Sequence, residues 1–195
     1  MMRRKAIRKR LTKSVNTSVA DDSRSFDPKP DESISATANN LESNVRRGYK
    51  LGFSFTPLNG KKPLFVGWQD REPYSLNEVL RFVRRGNNIG LRTGAASGAI
   101  VVIDVEKGGK ADFLKLPKTV TAATGGGGRH HYFSYDGQLR NSVQKLGDLI
   151  DVRAAGGQVV FPGSVHADTK KRYRWLDGFG LGEIDIAPLP THIVE

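Results

Sequence analysis

The sequence predicts a mixed α/β (α+β) chain, and three observations predict it. Ile100-Val101-Val102-Ile103 is a run of four β-branched apolar residues, the signature of a strand buried on both faces. Ser75-Leu76-Asn77-Glu78 is a capping box, and the stripe Leu76, Val79, Leu80, Val83 after it has helical spacing, stopped by Gly86. Several further short apolar segments are separated by Gly-rich turns, which adds strands around these two elements.

Taken in order, residues 1–43 are poor in large apolar groups and rich in Ser, Asn and charge. That composition predicts disorder. The chain carries a net charge of +11, and seven Lys/Arg with no acid fall within residues 1–20, leaving 24 basic against 20 acidic groups elsewhere. Three readings of this segment stay open: contact with a polyanion, an inert solubilising tail, or an Arg-rich, acid-free transit peptide. The folded domain is expected over residues 44–195, starting near Val45. No run is long enough for a membrane span, so no membrane partner is expected. With no Cys, disulfides, Cys-ligated zinc and iron–sulfur sites are excluded.

Gly52–Thr56 with Pro57 reads as a strand ending at the turn Asn59-Gly60, followed by the capped helix. Ile89–Thr93 and Ala99–Glu106 read as two strands of a hairpin. Ala111–Leu116 reads as one helical turn before Pro117. Val120–Ala123 and His130–Ser134 read as strands flanking Gly125-Gly126-Gly127-Gly128. Leu149–Ala154 and Gln158–Phe161 read as a second hairpin, turned at Gly156-Gly157. Arg172–Leu176 is the last strand, and the pattern fades from Pro188.

The chemistry concentrates at the ends of these strands. Asp104 and Glu106 lie two residues apart, so on one face of a strand. Two ionised carboxylates that close repel and are best tolerated around a hard cation. A strand fraying into a polar loop would explain the pair equally well. Four consecutive Gly could cradle phosphate, although no Gly-Lys-Ser/Thr follows as in a P-loop. His130 and His131 are adjacent, so only one can face the carboxylates. Asp151 and Arg153 share a face, as a structural ion pair or as parts of a site for metal and triphosphate. Ser164 and His166 add a hydroxyl and an imidazole.

These residues resemble the bifunctional DNA primase/polymerase (Prim-Pol) domain of the archaeo-eukaryotic primase superfamily. Ile103-Asp104-Val105-Glu106 is similar to the family's hydrophobic-Asp-x-Asp/Glu motif. Gly127-Gly128-Arg129-His130-His131-Tyr132-Phe133 is similar to its Gly-Gly-x-His-x-Tyr-Phe setting, which selects His130 over His131. Ile150-Asp151 is similar to its third motif. It is followed as in relatives by Arg153, Gly156-Gly157, Val159-Val160, Pro162, Ser164-Val165-His166 and Tyr173-Arg174-Trp175. The resemblance runs from about Gly52 to Leu176, with a longer glycine run than usual and no zinc-binding module.

The resemblance implies a primase-type core, a small α/β module beside a sheet related to RNA-recognition-motif folds. It implies a template-dependent nucleotidyltransferase in which Asp104, Glu106 and Asp151 hold two Mg²⁺ or Mn²⁺ ions. His130 would contact the incoming dNTP or NTP, helped by Arg129, Arg153, Ser164 and His166. Single-stranded DNA template and primer, and a replicative helicase, are the partners it implies, with a cytoplasmic location and a phage, plasmid or other mobile element as the setting. Two rival readings are a catalytically silent DNA-binding or replication-initiation module and a metal-dependent nuclease, since clustered carboxylates serve hydrolysis as well.

Overall fold

A computed structural model describes residues 40–194. The expected basic tail therefore lies, but for its last few residues, outside the described residues. Two helices and two antiparallel sheets make an α+β fold.

The first helix, α1 (Leu41–Lys50), has no strong sequence signal. Asn40 caps it, its side chain accepting from the backbone N–H groups of Glu42 and Ser43. A narrow seam, Leu41, Asn44, Val45 and Gly48, faces the interior. A Cβ at Gly48 would meet Phe53, Phe55 and Phe161, so glycine is what lets the helix lie against these rings. Asn44 is buried and bridges elements far apart in sequence. Its amide donates to the Pro162 carbonyl (3.0 Å) and accepts from the Trp175 indole (3.0 Å). The second helix, α2 (Leu76–Arg84), carries the capping box as the sequence predicts, with Gly86 at φ 85° beyond its end.

The first sheet contains β1 (Phe55–Asn59), β2 (Lys62–Pro63), β3 (Asn88–Arg92) and β8 (Gln158–Val160), in the order β2-β1-β3-β8. The second contains β4 (Ile100–Val105), β5 (Thr121–Ala123), β6 (Arg129–Ser134), β7 (Ile150–Arg153) and β9 (Arg174–Trp175), in the order β7-β4-β6-β5-β9.

This topology corrects two expectations. The segments Ile89–Thr93 and Ala99–Glu106 are not a hairpin: β3 pairs with β1 and β8, whereas β4 pairs with β6 and β7. Nor do the segments around Gly156-Gly157 form a hairpin, because β7 lies in the second sheet and β8 in the first. In both cases a glycine-containing connection carries the chain between sheets. Local turn chemistry is the same for a hairpin and for such a crossing; the pairing partners differ. The helical turn before Pro117 is a short 3₁₀ segment, Asp112–Leu114.

Strand β4 is buried on both sides. Ile100 and Val102 join the main core with Val45, Phe55, Leu80, Ile89, Tyr132 and Phe161. Val101, Ile103 and Val105 join a second core with Phe133, Ile150, Val152, Leu189 and Ile193. Burying each large apolar side chain contributes about 1.5–3 kcal/mol, so the position of β4 as an interior strand of its sheet is firmly set.

Candidate active site

The register of the second sheet builds the site. Asp104 on β4 is directly opposite Asp151 on β7 and directly opposite His130 on β6. Opposite residues of antiparallel strands project to the same face with Cβ atoms about 4.5–5.5 Å apart. Three polar side chains from three strands therefore stand in one row at the end of an otherwise apolar face. Glu106 follows two residues after Asp104, just beyond the strand.

Two members of the row, Asp104 and His130, line a cavity of about 500 Å³ between the two sheets, whereas Asp151 does not. The second sheet contributes Asp104, Glu106, His130 and Arg153, and the glycine loop contributes Thr124, Gly126 and Gly128. From the first sheet come Lys61 and Gln158, and from the segment after it His166, Asp168 and Tyr173.

His130 is 4% exposed, and its Nε2 lies 3.4 Å from Asp104 Oδ1. Its Nδ1 is buried and has no hydrogen-bond partner among the described residues. Burial works against ionisation of Asp104, but the His130 hydrogen bond and charge, with Arg153 and Lys61, hold its carboxyl below the ordinary carboxylate range. Asp151 is 6% exposed and fully engaged: Arg153 Nη2 donates to Oδ2 (2.6 Å) and the Gln144 N–H to Oδ1 (3.0 Å). Among the described residues no three His, Asp or Glu side chains converge into a metal cage. The donors are nonetheless of the right kind, since carboxylate oxygens suit hard divalent cations, and Asp104 and Glu106 both face the cavity.

His166 is held from behind. Its Nδ1 accepts from the N–H groups of Asp168 (3.2 Å) and Thr169 (3.3 Å), which leaves the ring proton on Nε2. The Tyr173 ring stacks on His166 at 6.0 Å and lies 5.9 Å from His130, so one phenol is shared between two imidazoles. Burial, with Asp104, Asp168 and Glu106 nearby, pushes the Tyr173 hydroxyl up to about 12, so it stays a donor. Gly125 packs against His166, where a Cβ would collide with the imidazole's own Cβ.

Two of the expected nucleotide-binding residues are not brought to this cavity. Ser164 is buried, and its hydroxyl accepts from the Ile89 N–H (3.1 Å) while pointing back at the Ile89 carbonyl (3.3 Å). It ties the segment bearing His166 to β3. Arg129 stands one residue from His130 and so on the other face of β6. It lines a different cavity together with His131. His131 is pushed down to about 4, by burial first and then by Arg129 and His130, and is neutral at physiological pH. Lys61, Gln158 and Tyr173 line the site without having been singled out for it. The turn at Asn59-Gly60 is visible in the sequence, but nothing local says that Lys61 reaches a strand end in the other sheet.

A mixed α+β domain with carboxylates, imidazoles, Lys and Arg around one cleft carries the groups of a phosphate-handling protein. The comparison with known families is narrower. The model of the bifunctional DNA primase/polymerase (Prim-Pol) N-terminal domain matches residues 46–192, and the chain belongs to that family. Membership implies an activity of the primase/polymerase nucleotidyltransferase type. No curated protein matches the sequence. No helix among the described residues is long and apolar enough to cross a membrane.

Proposed function

We propose that this chain is a template-dependent nucleotidyltransferase, a DNA primase, a DNA polymerase or both. It would add dNTP or NTP to a 3′-hydroxyl on a single-stranded template. The row Asp151–Asp104–His130, of which Asp104 and His130 line the inter-sheet cavity, carries this reading. Asp104, Glu106 and Asp151 are the residues that would hold Mg²⁺ or Mn²⁺, which when bound would lower the pKa of the attacking hydroxyl and neutralise charge on the departing pyrophosphate.

The protein's own groups do the rest. His130 keeps Asp104 ionised. His166 offers an Nε2–H to a phosphate oxygen from a ring fixed by two backbone donors. Arg153, released from Asp151, forks onto the triphosphate. Lys61 adds positive charge from across the cleft. Residues 44–195 would form the catalytic domain, acting in the cytoplasm with a replicative helicase in the replication of a mobile element.

Extension of a labelled primer on a single-stranded template tests this, with dNTPs or NTPs, Mg²⁺ or Mn²⁺, and Asp104→Ala as control. Extension by the wild type and none by the variant is expected, with template binding retained by both. An unprimed lane separates priming from extension. Equal extension by both proteins would remove Asp104 from the chemistry. The Arg153–Asp151 ion pair favours one rival, a DNA-binding module without catalysis. Steeply salt-dependent binding with no metal-dependent incorporation would select that rival.

A further inference from the structure

Behind the catalytic cavity is a second one, of about 520 Å³. It shares the glycine loop with the first and, Glu106 apart, is lined by side chains that the proposed reaction leaves unused. Lys110, Lys115 and Arg129 line it, with His131, Glu106 and Asp112. None of the three cations is paired with a carboxylate among the described residues, and all three are exposed. The neutral imidazole of His131 adds no charge there.

The two cavities adjoin. Glu106 and Gly128 line both. A Cβ at Gly128 would run into the Val105 carbonyl and the Glu106 backbone, so the rim between the cavities has to be bare. Alternation along β6 then sorts consecutive residues: His130 points to one cavity, Arg129 and His131 to the other.

We propose that this second cavity binds the sugar–phosphate backbone of a single-stranded polynucleotide, whose 3′ end crosses the Glu106–Gly128 rim to reach Asp104. Unpaired cations gathered in one cavity are what the phosphates of such a strand require. The two acids do not reverse this. Glu106 sits at the rim, on the side where the reacting end arrives, and Asp112 is one anion against three cations. The assignment rests on the nucleotidyltransferase reading for its 3′ end, but not for strand binding itself.

The test uses the full chain, labelled oligo-thymidylate and EDTA, so that no chemistry takes place. Fluorescence anisotropy across a salt series compares the wild type with the triple variant K110A/K115A/R129A. Each lost phosphate contact on a single strand flattens log K against log [salt] by about 0.7, so the triple variant should be shallower by about 2 units. Its affinity for a fluorescent dNTP should not change. As a second measurement, bound oligonucleotide should protect Lys110 and Lys115 from an acetylating reagent, whereas dNTP should not. The protection readout is insensitive to strand bound elsewhere, including on the basic N-terminal segment. An unchanged salt slope together with unprotected lysines would overturn the proposal. Reduced strand binding in a protein whose wild type extends no primer would leave this site standing and remove the catalytic reading.

Discussion

The two faces of the second sheet share the same five strands and differ at one end. On the outer face, Val101, Ile103, Val105, Phe133, Ile150 and Val152 form an apolar surface covered by Leu114, Leu189 and Ile193, with Arg129 and His131 on β6 at its edge. On the inner face, Ile100, Val102 and Tyr132 begin in the same way, and then Asp104, Asp151 and His130 take over side by side. A face built only for stability has no reason to make that change. Removing charges from water is costly, and here it is met by Arg153, Lys61 and a histidine instead of by apolar neighbours. One face holds the sheet, and the end of the other is given over to chemistry. His130 and His131 are the sharpest instance: they are adjacent in sequence yet line different cavities.

Exchanging activity on one face against the other should give the largest effect. Asp104→Ala should take primer extension below detection, whereas Val101→Ala, in the apolar outer face, should leave the rate of nucleotide addition near that of the wild type. Equal losses in the two variants, measured on the same template, would erase the distinction between the faces.

A stability effect should appear on the apolar side. Ile103→Ala removes a fully buried side chain and should cost about 2–5 kcal/mol in urea unfolding, while the row on the inner face keeps its residues. A loss below about 1 kcal/mol would mean that the outer core is not what holds β4 in place.

The pH response separates the two histidine neighbourhoods further. His131 is pushed down to about 4 from its ordinary 6.5, so between those values the unfolded chain binds a proton that the folded chain refuses. Stability therefore falls as pH drops through that window, by no more than about 3 kcal/mol, and His131→Gln should flatten the slope there. Asp104 acts lower on the scale. Its folded carboxyl titrates below the ordinary 3.8, so its contribution is full above that value and is lost as pH falls through the folded one. Asp104→Asn should alter only that acid limb. A wild-type slope between pH 6.5 and 4 in the His131→Gln protein would show that its imidazole is not the group responsible.

The smallest effect belongs far from both faces. Ser75→Ala removes the cap of α2 and should cost about 1 kcal/mol with no change in extension rate. A coupled loss of activity would mean that the helix positions the cleft.

Much of this arrangement was legible in the chain. The run at β4 declared a doubly buried strand, and the capping box declared α2, because both signals are local and strong. Helix α1 carries no clear apolar stripe because, of the four inward positions in LESNVRRGYK, one is an asparagine and one a glycine. The two supposed hairpins were misread because a glycine turn looks the same whether the chain reverses within a sheet or passes to another. At the site, the residue types and their order along the chain could be read. Which of them share a wall could not, as Ser164 and Arg129 demonstrate.

By itself, then, the sequence determined the periodicity that sends Asp104 one way and Val105 the other, the caps, the turns, and the motifs that mark the family. Tertiary structure decided which strand ends meet. It set Asp151 and His130 on either side of Asp104, brought Lys61 and His166 across the cleft, and turned Arg129 away from it. The physical reason is that alternation along a strand is fixed by local backbone geometry, whereas strand pairing is chosen by the burial of apolar faces across the whole chain.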